Sequence, residues 1–152
     1  MTAHEVRSPV EPPIAPMLGK LVRELPRGEF VYEPKWDGFR CLAFREGGRV
    51  ELRSRNDRPL GRYFPELVAA VSEVRAEAFA LDGEILVAVG DRYDFATLMT
   101  RLHPAASRVD HLCATTPATL VIFDLLALGD RDLREEPFDA RRAALERLIG
   151  TG

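Results

Sequence analysis

Two stretches of about eleven residues, FALDGEILVAV from Phe79 and ATLVIFDLLAL from Ala118, leave this chain little choice but long extended strands. In the first, Leu81, Ile85, Val87 and Val89 alternate with Asp82, Glu84 and Leu86. A period of two puts one row on a core and turns Glu84 to the opposite face. The second is apolar throughout and ends at Gly129 and Asp130. Strands of this length need partners, and the residues from Phe39 to Phe44 and from Val50 to Arg55 supply two more, turned about Glu46-Gly47-Gly48 as a hairpin.

The segments between these strands have helical signals. Leu18 to Leu25 reads as a short helical turn closed by Pro26 and Gly28, followed by an extended FVYEPK. PELVAAVSEVRAEA places Leu67, Val68, Val71 and Val74 at helical spacing behind Pro65, which suits a first turn. A short helix is expected around Phe95 to Leu102, then an irregular stretch from His103 to Pro117. Asp139 is the expected cap of a last helix with Ala143, Leu145, Leu148 and Ile149 on its apolar side. Hairpin strands with separated helices define an α+β fold rich in antiparallel sheet. The prolines at 9, 12, 13 and 16 favour extended backbone, so residues 1–17 read as a lead-in to a single domain over 18–152.

Composition excludes more than it identifies. With 46% apolar and 30% charged residues in 152, the chain reads as a soluble globular protein with a core of its own. No uncharged run approaches the roughly 20 residues of a membrane span. The start MTAHEVRSPVEPP lacks the apolar centre of a secretory signal, so a cytoplasmic protein with no membrane partner is the default expectation. Cys41 and Cys113 form no CxxC pair, and His4, His103 and His111 have no zinc-ligand spacing against them. Between Phe39 and Arg62 seven arginines face three carboxylates, Glu46, Glu51 and Asp57. Such a patch suits phosphates or simply a solvated strand face, and charge alone does not decide between them.

The segment EPKWDGFR carries the clearest chemical signal. In extended backbone Lys35 and Asp37 share a face. A lysine amine becomes a nucleophile on losing its proton, which desolvation or a neighbouring cation encourages, and arginine cannot replace it. Only Lys20 and Lys35 of the 21 basic residues are lysines, so this chain keeps lysine where arginine would not serve.

Four segments in order, KWDGFR (35–40), SRN (54–56), LDGEIL (81–86) and VIFDLLAL (121–128), resemble the covalent nucleotidyltransferase superfamily, in particular ATP-dependent DNA ligases of the bacterial end-joining type. The resemblance runs from about Ile14 to Ile149. It implies the N-terminal portion of an ATP-grasp-like adenylation domain in which Lys35 attacks the α-phosphate of ATP and carries AMP. By the same resemblance Asp37 is the acidic member of the lysine motif, and Glu33 helps recognise the adenine amino group. Arg40 and Arg55 lie near ribose and phosphates, Glu84 contacts ribose and helps place Mg²⁺, and Phe123 stacks on the purine. ATP and Mg²⁺ are the implied cofactors, and nicked or broken duplex DNA with end-joining repair proteins are the implied partners in repair and recombination. The family's later glutamate and lysine motifs and its OB domain have no counterpart before Gly152, so a fragment of a longer ligase is expected. RNA ligation, capping-type transfer and an inactive nucleotide-binding remnant are the rival readings.

Overall fold

The computed structural model describes residues 7–150; His4 and the first part of the expected lead-in lie outside them. A six-stranded antiparallel sheet forms the centre, in the order β2-β1-β3-β5-β6 with β4 paired to β3. Strands β1 (Phe39–Glu46) and β2 (Arg49–Ser54) form the expected hairpin, turned at Gly47 and Gly48. β3 (Ala78–Val89) lies in the middle, between β1 and β5 (Ala118–Leu128). Two short strands, β4 (Arg92–Tyr93) and β6 (Arg131–Asp132), turn back on β3 and β5.

The alternation read from the sequence sorts this sheet into two faces. Cys41, Ala43, Leu52, Phe79, Leu81, Ile85, Val87 and Leu125 turn to the larger core, where Leu67, Val71, Leu98 and Leu145 from the helices cover them. Each fully buried leucine, isoleucine or phenylalanine there contributes about 1.5–3 kcal/mol of transfer free energy. Val89, expected in this row, is instead 49% exposed, because β3 has run past its partners into the β4 turn.

The opposite face carries a smaller cluster, Leu42, Phe44, Ala80 and Ala127, covered by Val10 of the N-terminal segment. Ser8 N–H donates to Glu46 Oε1 at 2.8 Å, so the proline-rich segment is packed on the sheet. A small cavity of about 130 Å³ beneath it, between Ser8, Phe44 and Glu51, is on the scale of solvent.

The helices are α1 (Pro65–Ser72), α2 (Phe95–Met99), α3 (Ala106–Thr115) and α4 (Phe138–Ile149). Four expectations need correction. α1 stops at Ser72, where Glu73 N–H closes on Ala70 O, so only the first half of PELVAAVSEVRAEA is helical. The stretch expected to be irregular contains α3; its apolar side is thin, with Leu112 buried and Val109 and Cys113 half-buried, which is why periodicity did not mark it. Pro137, not Asp139, is the N-cap of α4, and Asp139 stands in the first turn where its charge favours the helix dipole. Leu18 to Leu25 forms no helix and FVYEPK pairs with no strand. Leu21 is 98% exposed, and a helix this short has no stability without a packed face.

Arg101 joins the helices to the sheet. Its side chain is fully buried, donating to Glu66 Oε1 at 2.6 Å, to Thr116 O at 2.7 Å and to Tyr63 O at 2.7 Å, with the guanidinium over the Phe64 ring. Burial works against Glu66's charge, but hydrogen bonds from Arg101, Cys113 and the Ala118 N–H outweigh it and hold the carboxyl below its usual range.

Candidate active site

Where β1 begins and β2 ends, the chain encloses an open cleft of about 1380 Å³. Glu33, Lys35, Arg40, Arg55, Glu84 and Phe123 all line it. Those six residues come from the segment before β1, from β1, from the turn after β2, from β3 and from β5, so the fold alone brings them together. Asp37 does not line the cleft and is exposed. The backbone before β1 is not a paired strand, so the two-residue period that put Asp37 on the Lys35 face does not apply.

Two glycines set how closely the walls approach. A Cβ on Gly38 would stand 2.1 Å from Ile85 O, and one on Gly83 would stand 2.4 Å from Val121 O. The glycines of KWDG and LDGE are therefore close-approach positions, and the β3·β5 register shifts beside Gly83. Gly38 N–H also donates to Glu84 Oε1 at 3.1 Å, tying the end of the lysine segment to β3. Aromatic contacts brace the same segment: Trp36 meets Tyr93 edge-on at 5.7 Å, and Phe39 meets Phe95 at 5.6 Å.

The polar face of the sheet is built diagonally. Arg40 stands opposite Glu84 and reaches the neighbouring position on β3, where its Nε donates to Asp82 Oδ1 at 2.6 Å and its Nη2 to Asp82 Oδ2 at 2.7 Å. Its other contacts are the Met17 carbonyl at 2.9 Å and the Phe123 ring, 5.0 Å from the guanidinium carbon to the centroid. The Asp82 hydrogen bond raises the Arg40 pKa further, so this cation stays charged. Burial raises the Asp82 carboxyl despite the pair, and the Asp124 charge adds to it. Glu84 is raised chiefly by burial, with the Gly38 N–H, Arg40 and Lys35 pulling the other way. Asp124 is paired with Arg141 of α4 at 2.9 Å.

Sequence reasoning missed three contributors. Asp82 fixes Arg40, and its signal was its place in LDGE. Arg142 and Glu146 of α4 line the cleft, 2.9 Å apart, with Arg142 Nη1 3.5 Å from Glu33 Oε1. Their spacing of four marked an ion pair on a helix, and nothing in the sequence said which surface it faced.

Such a cleft, with Lys20 and Lys35, the arginines Arg40, Arg55 and Arg142, the half-buried Glu84 and the Phe123 ring on its walls, is of the kind that holds a phosphorylated aromatic ligand. The sequence profile of the ATP dependent DNA ligase domain matches residues 13–151, and the chain belongs to that family. DNA ligase C2 of Mycolicibacterium smegmatis is 55% identical over 141 residues, covering 93% of this chain and 40% of the relative. DNA ligase C of Mycobacterium tuberculosis is 52% identical over 145 residues, again 40% of its length. The chain thus spans about two fifths of these relatives. The ligase domain of M. tuberculosis LigD superimposes with a TM-score of 0.62 at 32% identity, over 76% of this chain and 36% of that one. A mycobacterial DNA ligase D complexed with ATP and MES gives 0.57 at 30% identity, over 76% and 35%. The fold is thereby that of the N-terminal portion of a ligase nucleotidyltransferase domain. Cys41 and Cys113 are free thiols, burial raising Cys41 to about 12. No helix among the described residues is long and apolar enough to cross a membrane.

Proposed function

We propose that this chain forms the nucleotide-loading wall of an ATP-dependent DNA ligase, with Lys35 as the residue that takes AMP. The observation that carries this reading is the convergence of Lys35, Glu33, Arg40, Arg55, Glu84 and Phe123 on one cleft. The deprotonated Lys35 Nζ attacks the α-phosphorus of ATP, a P–N bond forms, and the bond to the bridging oxygen breaks with its electron pair leaving on pyrophosphate. Arg55, exposed on the cleft and without an ion pair among the described residues, offers a guanidinium fork for phosphate oxygens. Arg40, held by Asp82, presents a fixed positive charge rather than a mobile one. Phe123, whose ring also meets the Arg40 guanidinium, is the surface for the purine, and Glu33 is the group for its amino nitrogen.

Mg²⁺ fits the donor set. The half-buried Glu84 carboxylate on the cleft wall suits an ion held otherwise by water and the phosphates of its substrate. Glu84 would hold the ion, which would supply neutralisation of charge on the transferring phosphate. Asp37 is exposed and outside the cleft. AMP then passes to a DNA 5′-phosphate and the adjacent 3′-hydroxyl displaces it, a reaction we place in the cytoplasm. The DNA acceptor and an end-joining setting are supported by the names of the relatives; a 34% identical one, from Pseudomonas aeruginosa, is a multifunctional non-homologous end joining protein LigD.

The test is incubation with Mg²⁺ and α-labelled ATP or GTP. Label is expected from ATP in preference to GTP, and Lys35→Ala should abolish it. Label from GTP alone favours capping-type transfer, while transfer of label to nicked RNA but not nicked DNA favours RNA ligation.

A further inference from the structure

The structure divides the arginine-rich stretch from Phe39 to Arg62 into two groups. Arg40 is held by Asp82, Arg45 donates to the carbonyls of Gly47 and Val74, and Arg49 and Arg53 share Glu51. Arg55, Arg58 and Arg62 are exposed and, among the described residues, have no carboxylate at ion-pair distance. Asp57, the acid that lies between them in sequence, is 3.9 Å from Arg53 instead.

These three arginines share one well-tied connection. Ser54 N–H donates to Arg58 O at 2.8 Å, Arg58 N–H returns to Ser54 Oγ at 3.0 Å, and Asp57 takes φ 59° to close the turn. Leu60 N–H reaches Leu52 O at 2.8 Å, fastening the connection to β2. Further on, the Arg62 guanidinium lies 4.6 Å from the Tyr63 ring centre and donates to its hydroxyl, which meets His103 Nδ1 at 2.8 Å. Arg55, Asn56, Leu60 and Leu102 line the cleft, whereas Arg58 and Arg62 do not. Positive charge without a counter-charge therefore starts at the lip of the cleft and continues outside it.

A mononucleotide inside the cleft has no use for cations beyond its lip. A polynucleotide does: its terminal phosphate must approach Lys35 while the rest of the strand, with one phosphate per nucleotide, trails over the edge. We propose that Arg58 and Arg62 form a rim that binds the phosphodiester backbone of the nucleic-acid strand whose end enters the cleft. This rests on the ligase reading. Guanidinium groups suit phosphate oxygens, Arg58 on the hydrogen-bonded turn and Arg62 steadied by Tyr63, and contacts to phosphate are blind to sequence and sensitive to salt.

The test is binding of this chain to a fluorescent nicked duplex over a range of KCl concentrations. Every phosphate that a protein cation neutralises adds about 0.9 to the steepness with which log affinity falls against log salt. Arg58→Ala should therefore make the dependence shallower by about 0.9, and Arg58→Ala/Arg62→Ala by about twice as much. The double lysine variant keeps the charge and should keep the slope; Arg131→Ala, at an exposed arginine paired with Glu136, should not change it. A double-alanine slope equal to that of the wild type, an equal drop in Arg131→Ala, or no salt-dependent binding by the wild type would overturn the rim. Uptake of label from ATP by the wild type is read in parallel. A wild type that takes no label but shows the shifted slopes overturns the adenylation reading and retains the rim, and label with unshifted slopes does the reverse.

Discussion

The sheet and the segment that precedes it are built on opposite principles. From Phe39 to Leu128 the strands form one sheet in which β1 and β3 are paired on both sides and β2 closes one edge, and the buried residues of β1, β3 and β5 are packed into the two apolar clusters. From Met17 to Asp37 there is no regular structure, and Met17, Leu18, Leu21, Val22, Leu25, Phe30, Val31 and Tyr32 are all exposed. Yet the proposed nucleophile belongs to the second region. It is held by a few contacts to the first: Arg40 to the Met17 carbonyl, Gly38 N–H to Glu84, Trp36 against Tyr93, and Arg142 beside Glu33. On the proposed reading, the sheet would place the charges that receive phosphate, and the nucleophile would stand on a strap, a segment without regular structure.

If that division is right, mutations in the two regions should separate stability from chemistry. The largest stability effect is expected at Arg101. Arg101→Ala leaves Glu66 without its main partner and strips donors from Tyr63 O and Thr116 O, at a cost of about 3–5 kcal/mol in thermal or denaturant unfolding. The pH dependence follows. The Glu66 carboxyl is depressed in the folded state, so its contribution is present above the ordinary glutamate pKa and is lost as pH falls through the lower folded value. Glu66→Gln should flatten the acid side of the stability curve, and an unchanged acid limb would show the pair to be unimportant.

Gly38→Ala should come next, at about 1–3 kcal/mol, because the new methyl meets the Ile85 carbonyl and must displace backbone. It falls at the junction of strap and sheet, so both unfolding and nucleotide binding should suffer. A fully stable variant would mean that the junction yields more easily than the packing implies. The smallest effect is expected at Arg142→Ala. Both members of that pair are partly exposed, and such contacts contribute up to about 1 kcal/mol. ATP affinity should fall slightly with no change in the unfolding midpoint; a drop in stability would place Arg142 with the sheet.

The same contrast explains what could be read from sequence. β1, β2 and β3 were legible from alternation and β5 from its apolar run, and the meeting of Lys35, Arg40, Arg55, Glu84 and Phe123 at one cleft was legible through motifs that stand in family order. α3 was not, because Val109, Leu112 and Cys113 make too narrow an apolar stripe to register. The strap misled in the other direction: Leu18, Leu21, Val22 and Leu25 have helical spacing, but no surface covers them and the spacing has no consequence. Asp37 stands outside the cleft, on a segment that joins no strand of the sheet. Arg142 and Glu146 became visible only when α4 was seen to face the cleft, a long-range fact that local pattern does not contain.

The most direct measurement is to treat the protein with ATP and Mg²⁺, digest it, and locate the adenylated residue by tandem mass spectrometry. AMP should be found on the peptide containing Lys35, with Lys20 unmodified and no adduct in Lys35→Ala. Adenylation at Lys20, or an adduct that survives Lys35→Ala, would contradict the assignment of the nucleophile and with it the reading of the cleft.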